Sequence, residues 1–404
     1  MTSPVDTSVK YFTSQMSGAP ALSGTAGSMI ALLDACLKDG FDLKTLGSLT
    51  VAGGVATAAY TGDHAALPDA VVLISGVTGG PTGWAGMNGE QRVIGKPNAN
   101  AVTFVTSLPD GAYTGTITMK MAPLGWLKPF SFANGGAYRS ADPASFGMFL
   151  RVDDAAPTFA RVIGYESMSD ATTGVGPFPS AAQIAGGGYW PKSANATATA
   201  VAWTLVGDTR AFYLFVAVHS SSSSTWSSGW VRGFGDMLPL RPGGDPYACM
   251  LNYSNESNSM SMYEGGIDGH TGTALARSAS PRDFTGLGSA VRQWVYNYTG
   301  ASAPMSGADP TLGQFPSKID GTLKLSRKYL TADGNHPRAD IPGLYHQPQT
   351  LAFDTFKHLD TAPGTDALAG RTLMALQTGN PNTNTQPNST NSGCLWVDRT
   401  GPWR

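Results

Sequence analysis

Charge is what this sequence has least of. Lys, Arg, Asp and Glu make up 13% of its 404 residues, about half the usual share of roughly 25%. With 26 basic and 28 acidic residues the formal net charge is −2, so no whole-chain field draws in nucleic acid or an anionic membrane, and neither partner is expected. Cysteine is nearly as scarce. Cys36, Cys249 and Cys394 are odd in number and far apart, which suits neither a disulfide framework nor a CxxC metal knuckle and predicts three buried free thiols. No window approaches the ~18 apolar residues of a membrane span. Residues 1–18 lack a basic segment followed by an apolar core, so no secretory leader is read there. A soluble protein made in a bacterial cytoplasm is the expectation.

Turn formers and uncharged polar residues fill the space that charge leaves. The chain carries 50 glycines and 27 prolines beside 41% hydrophobic residues, enough apolar material for real cores joined by many tight turns. The expected fold is mainly β, a small β-barrel module plus a larger antiparallel β-sandwich-like domain, with one short N-terminal helix. The helix is read at 28–38, where Met29, Ile30, Leu33, Cys36 and Leu37 recur at helical spacing between Ser28 and the stop at Gly40. Its single apolar stripe must dock on its own β domain or on a neighbouring subunit, and Met29, Ile30, Leu33 and Leu37 are the interface candidates.

From 48 to 121, six short β segments (SLTVA, ATAAY, AVVLIS, QRVIG, AVTFVT, GTITMK) alternate with turn signals such as Gly53-Gly54, Asn88-Gly89 and Asp110-Gly111, a spacing that predicts a small closed barrel. The boundaries read are 1–47 for a docking segment and helix, 48–121 for the barrel, and 122–404 for a large β-rich domain with a wrapped C-terminal segment. APLGWLKPF (122–130) reads as a linker. Hairpins are predicted at 147–154/158–165 and 201–206/211–218, the second the most apolar part of the chain, and a closing hairpin at 371–379/394–403. Residues 302–348 are proline-punctuated and read as irregular.

Constellations that carry chemistry are thin. His336, His346 and His358 lie near Asp340, Asp354 and Asp360, but ten and twelve residues apart, whereas zinc ligands usually come as a close pair on one rigid element; no metal or cofactor is assigned. Asp153, Asp154, Glu166 and Asp170 could supply paired carboxylates for glycoside hydrolysis, a chemistry that needs two carboxyls ~5 Å apart, though acids at strand ends commonly serve turns. There is no GxSxG elbow, P-loop or HExxH. No catalytic residue is assigned, and the chain is read as not an enzyme. Aromatic residues remain: Trp190 follows Gly187 and Gly188, and Trp226 sits in the serine-rich run 219–229, making these two the candidates for contact with a glycan or a partner.

Several strings resemble virion proteins of tailed bacteriophages and prophages: VKYFTSQMSGAPALSGTAGSMIALLDACL (9–37), MNGEQRV (87–93), APLGWLKPF (122–130), VIGYESMSD (162–170), GPFP (176–179), YWPKS (189–193) and TGPW (400–403). They span most of the chain, and 48–121 looks like the small β-barrel insert of phage tail and fibre proteins. The resemblance implies a structural part of a particle, in the tail or baseplate region, with other virion proteins and further copies of itself as partners. It supplies no catalytic residues. The alternatives are a tail-tip or fibre protein that binds a host-surface glycan or receptor, a capsid decoration or head-fibre protein, and, third, a polysaccharide depolymerase.

Overall fold

The computed structural model describes residues 3–221, 229–255, 257, 266–267, 276–298, 313–332, 336–349, 352–379 and 392–404. It is mainly β, with 48% strand and 6% helix.

Six antiparallel strands, Phe41–Ala52, Val55–Tyr60, Val71–Gly79, Gly89–Asn98, Ala101–Val105 and Gly111–Met121, close into a barrel in which the last pairs with the first. Each of the six predicted segments falls on one of them, with Ala70 and Thr106 just outside. Alternation sets the interior: Ala56 and Ala58 are buried opposite Phe104 and Val102 on the neighbouring strand, and Val72 and Ile74 are buried further round the barrel. The first hairpin turns through Gly53 (φ 57°) and Gly54 (φ 77°), the two positive angles that a two-residue turn matching strand twist demands. The first strand begins at Phe41 rather than at 48, because register shifts along it obscure the period-two pattern.

Next along the chain is a sheet of five antiparallel strands, in the order Gly188–Pro191, Phe159–Tyr165, Phe149–Asp153, Gly135–Ser140, Trp126–Phe132. The segment read as a linker is thus an edge strand. Pro129 is tolerated there because an edge strand need not donate on both sides, and the register shifts between Leu127 and Phe130. The third sheet has 13 strands. It starts at Lys10–Thr13, passes through the predicted hairpin Val201–Gly207/Ala211–Ser221 to Trp230–Asp236, and ends on the closing hairpin Thr372–Gly379/Ser392–Asp398 with Thr361–Pro363 at its edge. Two of its strands, Ser326–Thr331 and Ala339–His346, occupy the stretch expected to be irregular. The sheet curls back on itself, since Gly229 bridges to Thr378 and its N–H donates to the Gln377 carbonyl at 3.1 Å.

The inner face of the five-stranded sheet packs on the 13-stranded one. Trp126 and Trp190 stand edge-on to Phe212 with ring centroids 5.3 and 6.0 Å away, and Phe178 stacks on Phe234 at 6.5 Å. Such aromatic pairs add ~0.5–1.5 kcal/mol each beyond the area they bury. The predicted helix forms as an α-helix over Ser28–Leu33 that continues as a π-helical turn over Asp34–Asp39. Among the described residues no helix is long and apolar enough to cross a membrane.

Arg92 lies at the centre of the joint between the modules. Arg92, 4% exposed, donates from Nε to the Asp6 carbonyl (2.6 Å), from Nη1 to those of Asp69 (2.6 Å) and Arg399 (3.4 Å), and from Nη2 to those of Val9 (3.0 Å) and Thr400 (2.9 Å). Beside it Arg399 pairs with Asp69 at 2.7 Å and lies over the Tyr11 ring, and Tyr11 donates to the Pro68 carbonyl. The barrel, the first strand and the last residues meet at this node.

Candidate functional site

The acids singled out in the sequence are engaged one by one. Asp154 Oδ2 accepts from the N–H of Met29 (2.7 Å) and Ile30 (3.4 Å), supplying the cap that the helix's own Gly27 cannot, while Oδ1 pairs with Lys192 Nζ. Both side chains are fully buried. Burial holds the Asp154 carboxyl above its ordinary range, opposed by Lys192 and the helix N–H groups, and burial lowers the Lys192 ammonium. Asp153 accepts the Ala155 N–H at 3.2 Å. Glu166 takes a bidentate grip from Arg282 at 2.8 and 2.9 Å. Asp170 accepts the N–H groups of Thr172 and Thr173, which hold its carboxyl down at about 2. Each carboxylate serves a turn, a cap or an ion pair. His358 is stacked on Phe215 at 4.3 Å, and His336 is exposed where His346 is buried. No three His, Cys, Asp or Glu side chains converge on one point among the described residues.

The helix stripe and Trp190 are corrected as contact candidates. Met29, Leu33 and Leu37 are fully buried and Ile30 is 8% exposed, so the helix stripe is spent within the chain. The docking partner is the molecule's own β structure: Tyr138 Oη and Lys128 Nζ both donate to Asp34 at 2.8 Å, and the N–H groups of Leu124 and Gly125 close on the carbonyls of Cys36 and Leu37. Trp190 is fully buried and donates from Nε1 to the Asn252 carbonyl at 2.7 Å. Its neighbouring glycines serve packing, since a Cβ on Gly188 would lie 2.3 Å from Tyr253 Cβ. Trp226 lies outside the described residues.

What sequence reading missed is the outward face of the five-stranded sheet. Strand register places Arg139 opposite Phe149, Arg151 opposite Ala137 and Ile163, and Asp153 opposite Gly135 and Arg161. Directly opposed residues share a face, so arginines and aromatic rings interleave there. Arg139 lies 5.5 Å over Phe149, Arg151 4.5 Å over Phe132, and Arg161 3.9 Å over Tyr189, while Phe130 stacks on Phe149 at 6.2 Å. Cation–π contacts of this kind hold a guanidinium flat and preorganised. Arg151 also donates to the Ala171 carbonyl (3.0 Å), and Arg161 to those of Ala185 and Gly187. Leu127, in the same row as Arg139, is 43% exposed.

A concavity of about 660 Å³ lies over the closing hairpin between 320–327 and 361–368. Leu323, Leu325, Leu368 and Leu373 give it an apolar floor, and Asp320, Lys324, Arg327 and Asp366 a charged rim. Its size falls in the range of small-ligand sites. Both rim cations are already paired, Lys324 with Asp320 of the rim and Arg327 with Asp340 outside it at 2.5 Å. With this geometry in view, comparison with known proteins adds no assignment, as the chain matches no protein-family model and no curated protein.

Proposed function

We propose that this chain is a non-enzymatic structural component of a tailed-phage virion, acting in the tail or baseplate region by multi-copy assembly after synthesis in the host bacterial cytoplasm. The observation that carries the reading is where the scarce charge goes. Arg92, Asp154–Lys192, Arg282–Glu166, Arg399–Asp69 and Arg404–Asp208 each tie one part of the molecule to another. The phage-like strings coincide with these joints: MNGEQRV holds Arg92, YWPKS holds Trp190 and Lys192, and TGPW holds the buried Trp403. A block whose ionic groups brace its interior, and whose surface is dominated by uncharged side chains, can be buried against neighbours at small desolvation cost.

Immunogold labelling of purified particles tests the reading. Label at the tail or baseplate is expected; label on the head would favour a decoration or head-fibre protein, and unlabelled particles would refute the assignment. The groove over the closing hairpin supports one other reading, a tail-tip protein that binds a host-surface glycan. Under that reading Tyr345→Ala, in the groove wall, abolishes adsorption of otherwise intact particles.

A further inference from the structure

We propose that the outward face of the five-stranded sheet is the surface through which two copies of this chain pack face to face. The inference rests on the multi-copy assembly reading and gives it a surface and a partner.

Composition argues for a protein partner. The face offers Phe, Tyr, Arg and Leu with one carboxylate and no Lys, Glu, Asn or Gln along its strand rows, the bias of protein–protein contacts. A sugar polymer would need acceptors for its hydroxyls, and Asp153 is the one carboxylate here. Among the described residues Arg139 makes no hydrogen bond or ion pair; its exposed guanidinium rests on the Phe149 ring with all its donors unused.

Charge placement argues that the partner is a second copy. Arg139 stands at one end of the strand pair Gly135–Ser140/Phe149–Asp153, and Asp153 at the other. Four residues of strand separate these ends, about 13 Å. Asp153 accepts only the Ala155 N–H and lies 3.9 Å from Arg151, so its carboxylate has spare capacity. A two-fold axis running across the strands lays the Arg139 end of one copy on the Asp153 end of the other, forming two equivalent ion pairs around Phe130 and Leu127, with Phe149, 7% exposed, packed beneath them. Closed two-fold contacts are the commonest in homo-oligomers. The same axis sets Arg151 near its own symmetry mate, a like-charge contact softened because the Ala171 carbonyl and the Phe132 ring hold each guanidinium flat and Asp153 lies 3.9 Å away.

Area sets the strength. Five strands spaced ~4.8 Å apart and about six residues long cover roughly 480 Å² in plan on each copy, so the pair buries about 1,000 Å², the lower limit for a specific contact. Val175, 65% exposed on the small hairpin Ser167–Met168/Gly174–Val175 beside Tyr165, widens the rim. A reversible dimer in the micromolar range is the expected product, suited to reinforcement by other contacts in a particle.

Sedimentation velocity of the full chain across the micromolar range tests the proposal, with circular dichroism checking that each variant is folded. Wild type dimerises; Arg139→Glu alone and Asp153→Arg alone each weaken association about tenfold or more, ~1.4 kcal/mol in all for the two ion pairs that each variant homodimer loses. An equimolar mixture of these two variants associates again, because each supplies the charge that the other has lost. A monomeric wild type, or an Arg139→Glu variant that associates like wild type, overturns the proposal. So does a mixture that fails to associate. Binding of heparin or polyglutamate that needs Arg139, without self-association, would assign the face to another partner and likewise overturn it. Labelling of particles reads the virion assignment separately: a labelled but monomeric protein sinks only the face-to-face contact, and a dimer missing from particles sinks only the virion reading.

Discussion

Replacing Arg92 by Met should loosen the joint between barrel, first strand and last residues without disturbing the barrel core. The guanidinium is 4% exposed and donates to five backbone carbonyls, those of Asp6, Val9, Asp69, Arg399 and Thr400. A hydrogen bond from a charged donor is worth about 1.5–3 kcal/mol, so the gross loss is on the order of 10 kcal/mol. Against it stands the several kcal/mol no longer spent on desolvating the guanidinium, a cost visible in the lowering of its pKa by burial. Some carbonyls also regain water. The net expectation is a loss of about 3–5 kcal/mol, the gross loss less the desolvation no longer incurred and the water regained. Urea unfolding by far-ultraviolet dichroism reads this, and limited proteolysis should show the segments around Val9 and Thr400 cut before the barrel. Arg92→Lys, with fewer donors, should fall between. A loss below about 1 kcal/mol, or a barrel that is cut first, would refute the reasoning.

Three further outcomes are expected. Trp190→Ala should cost about 3–5 kcal/mol of stability, measured by chemical denaturation, because it empties a core site and removes the indole N–H that the Asn252 carbonyl accepts; a stable variant with impaired adsorption would contradict the burial. Burial holds the His358 ring down at about 3, below the ordinary value near 6.5, so the unfolded chain binds the proton more readily across that interval. The stability contributed is therefore full above about pH 6.5 and falls as pH drops toward 3, by at most ~1.4 kcal/mol per unit, and His358→Gln should flatten that slope in melts taken from pH 7 to 4. Burial pushes the Cys36 and Cys249 thiols up, and Cys394 is buried too, so a colorimetric thiol reagent should label none of the three until denaturant is added; prompt labelling would show an open site.

The barrel was legible because each of its strands is bounded by Gly, Asn or Asp at a turn, so turn chemistry and alternation agree. The strand Trp126–Phe132 was not, because Pro129 and a bulge break the period-two signal at a sheet edge. Ser326–Thr331 and Ala339–His346 were hidden for a similar reason, the second carrying Pro342 within it. For the helix, the apolar stripe was readable but its partner was not, since the capping Asp154 comes from 125 residues away. Trp190 was read as a surface candidate from its glycine-rich neighbourhood, whereas Gly188 permits close backbone approach against Tyr253. No local pattern announces the arginine–aromatic face. It exists only once the register of several strands has been set, and interleaving across strands leaves no periodic trace along any one of them.

The node at Arg92 also orders events during synthesis. The barrel is made from one continuous stretch, Phe41–Met121, and can close while the ribosome is still adding the large sheet. The strand Lys10–Thr13 must wait for Val201–Gly207, and Arg92 waits about 300 residues for Thr400. Contacts of such sequence separation are slow to form, so a nascent chain carries a finished barrel with two unsatisfied flanks until its last residues emerge. Truncation near position 398 should therefore yield a protein whose barrel is native and whose large sheet is open to aggregation.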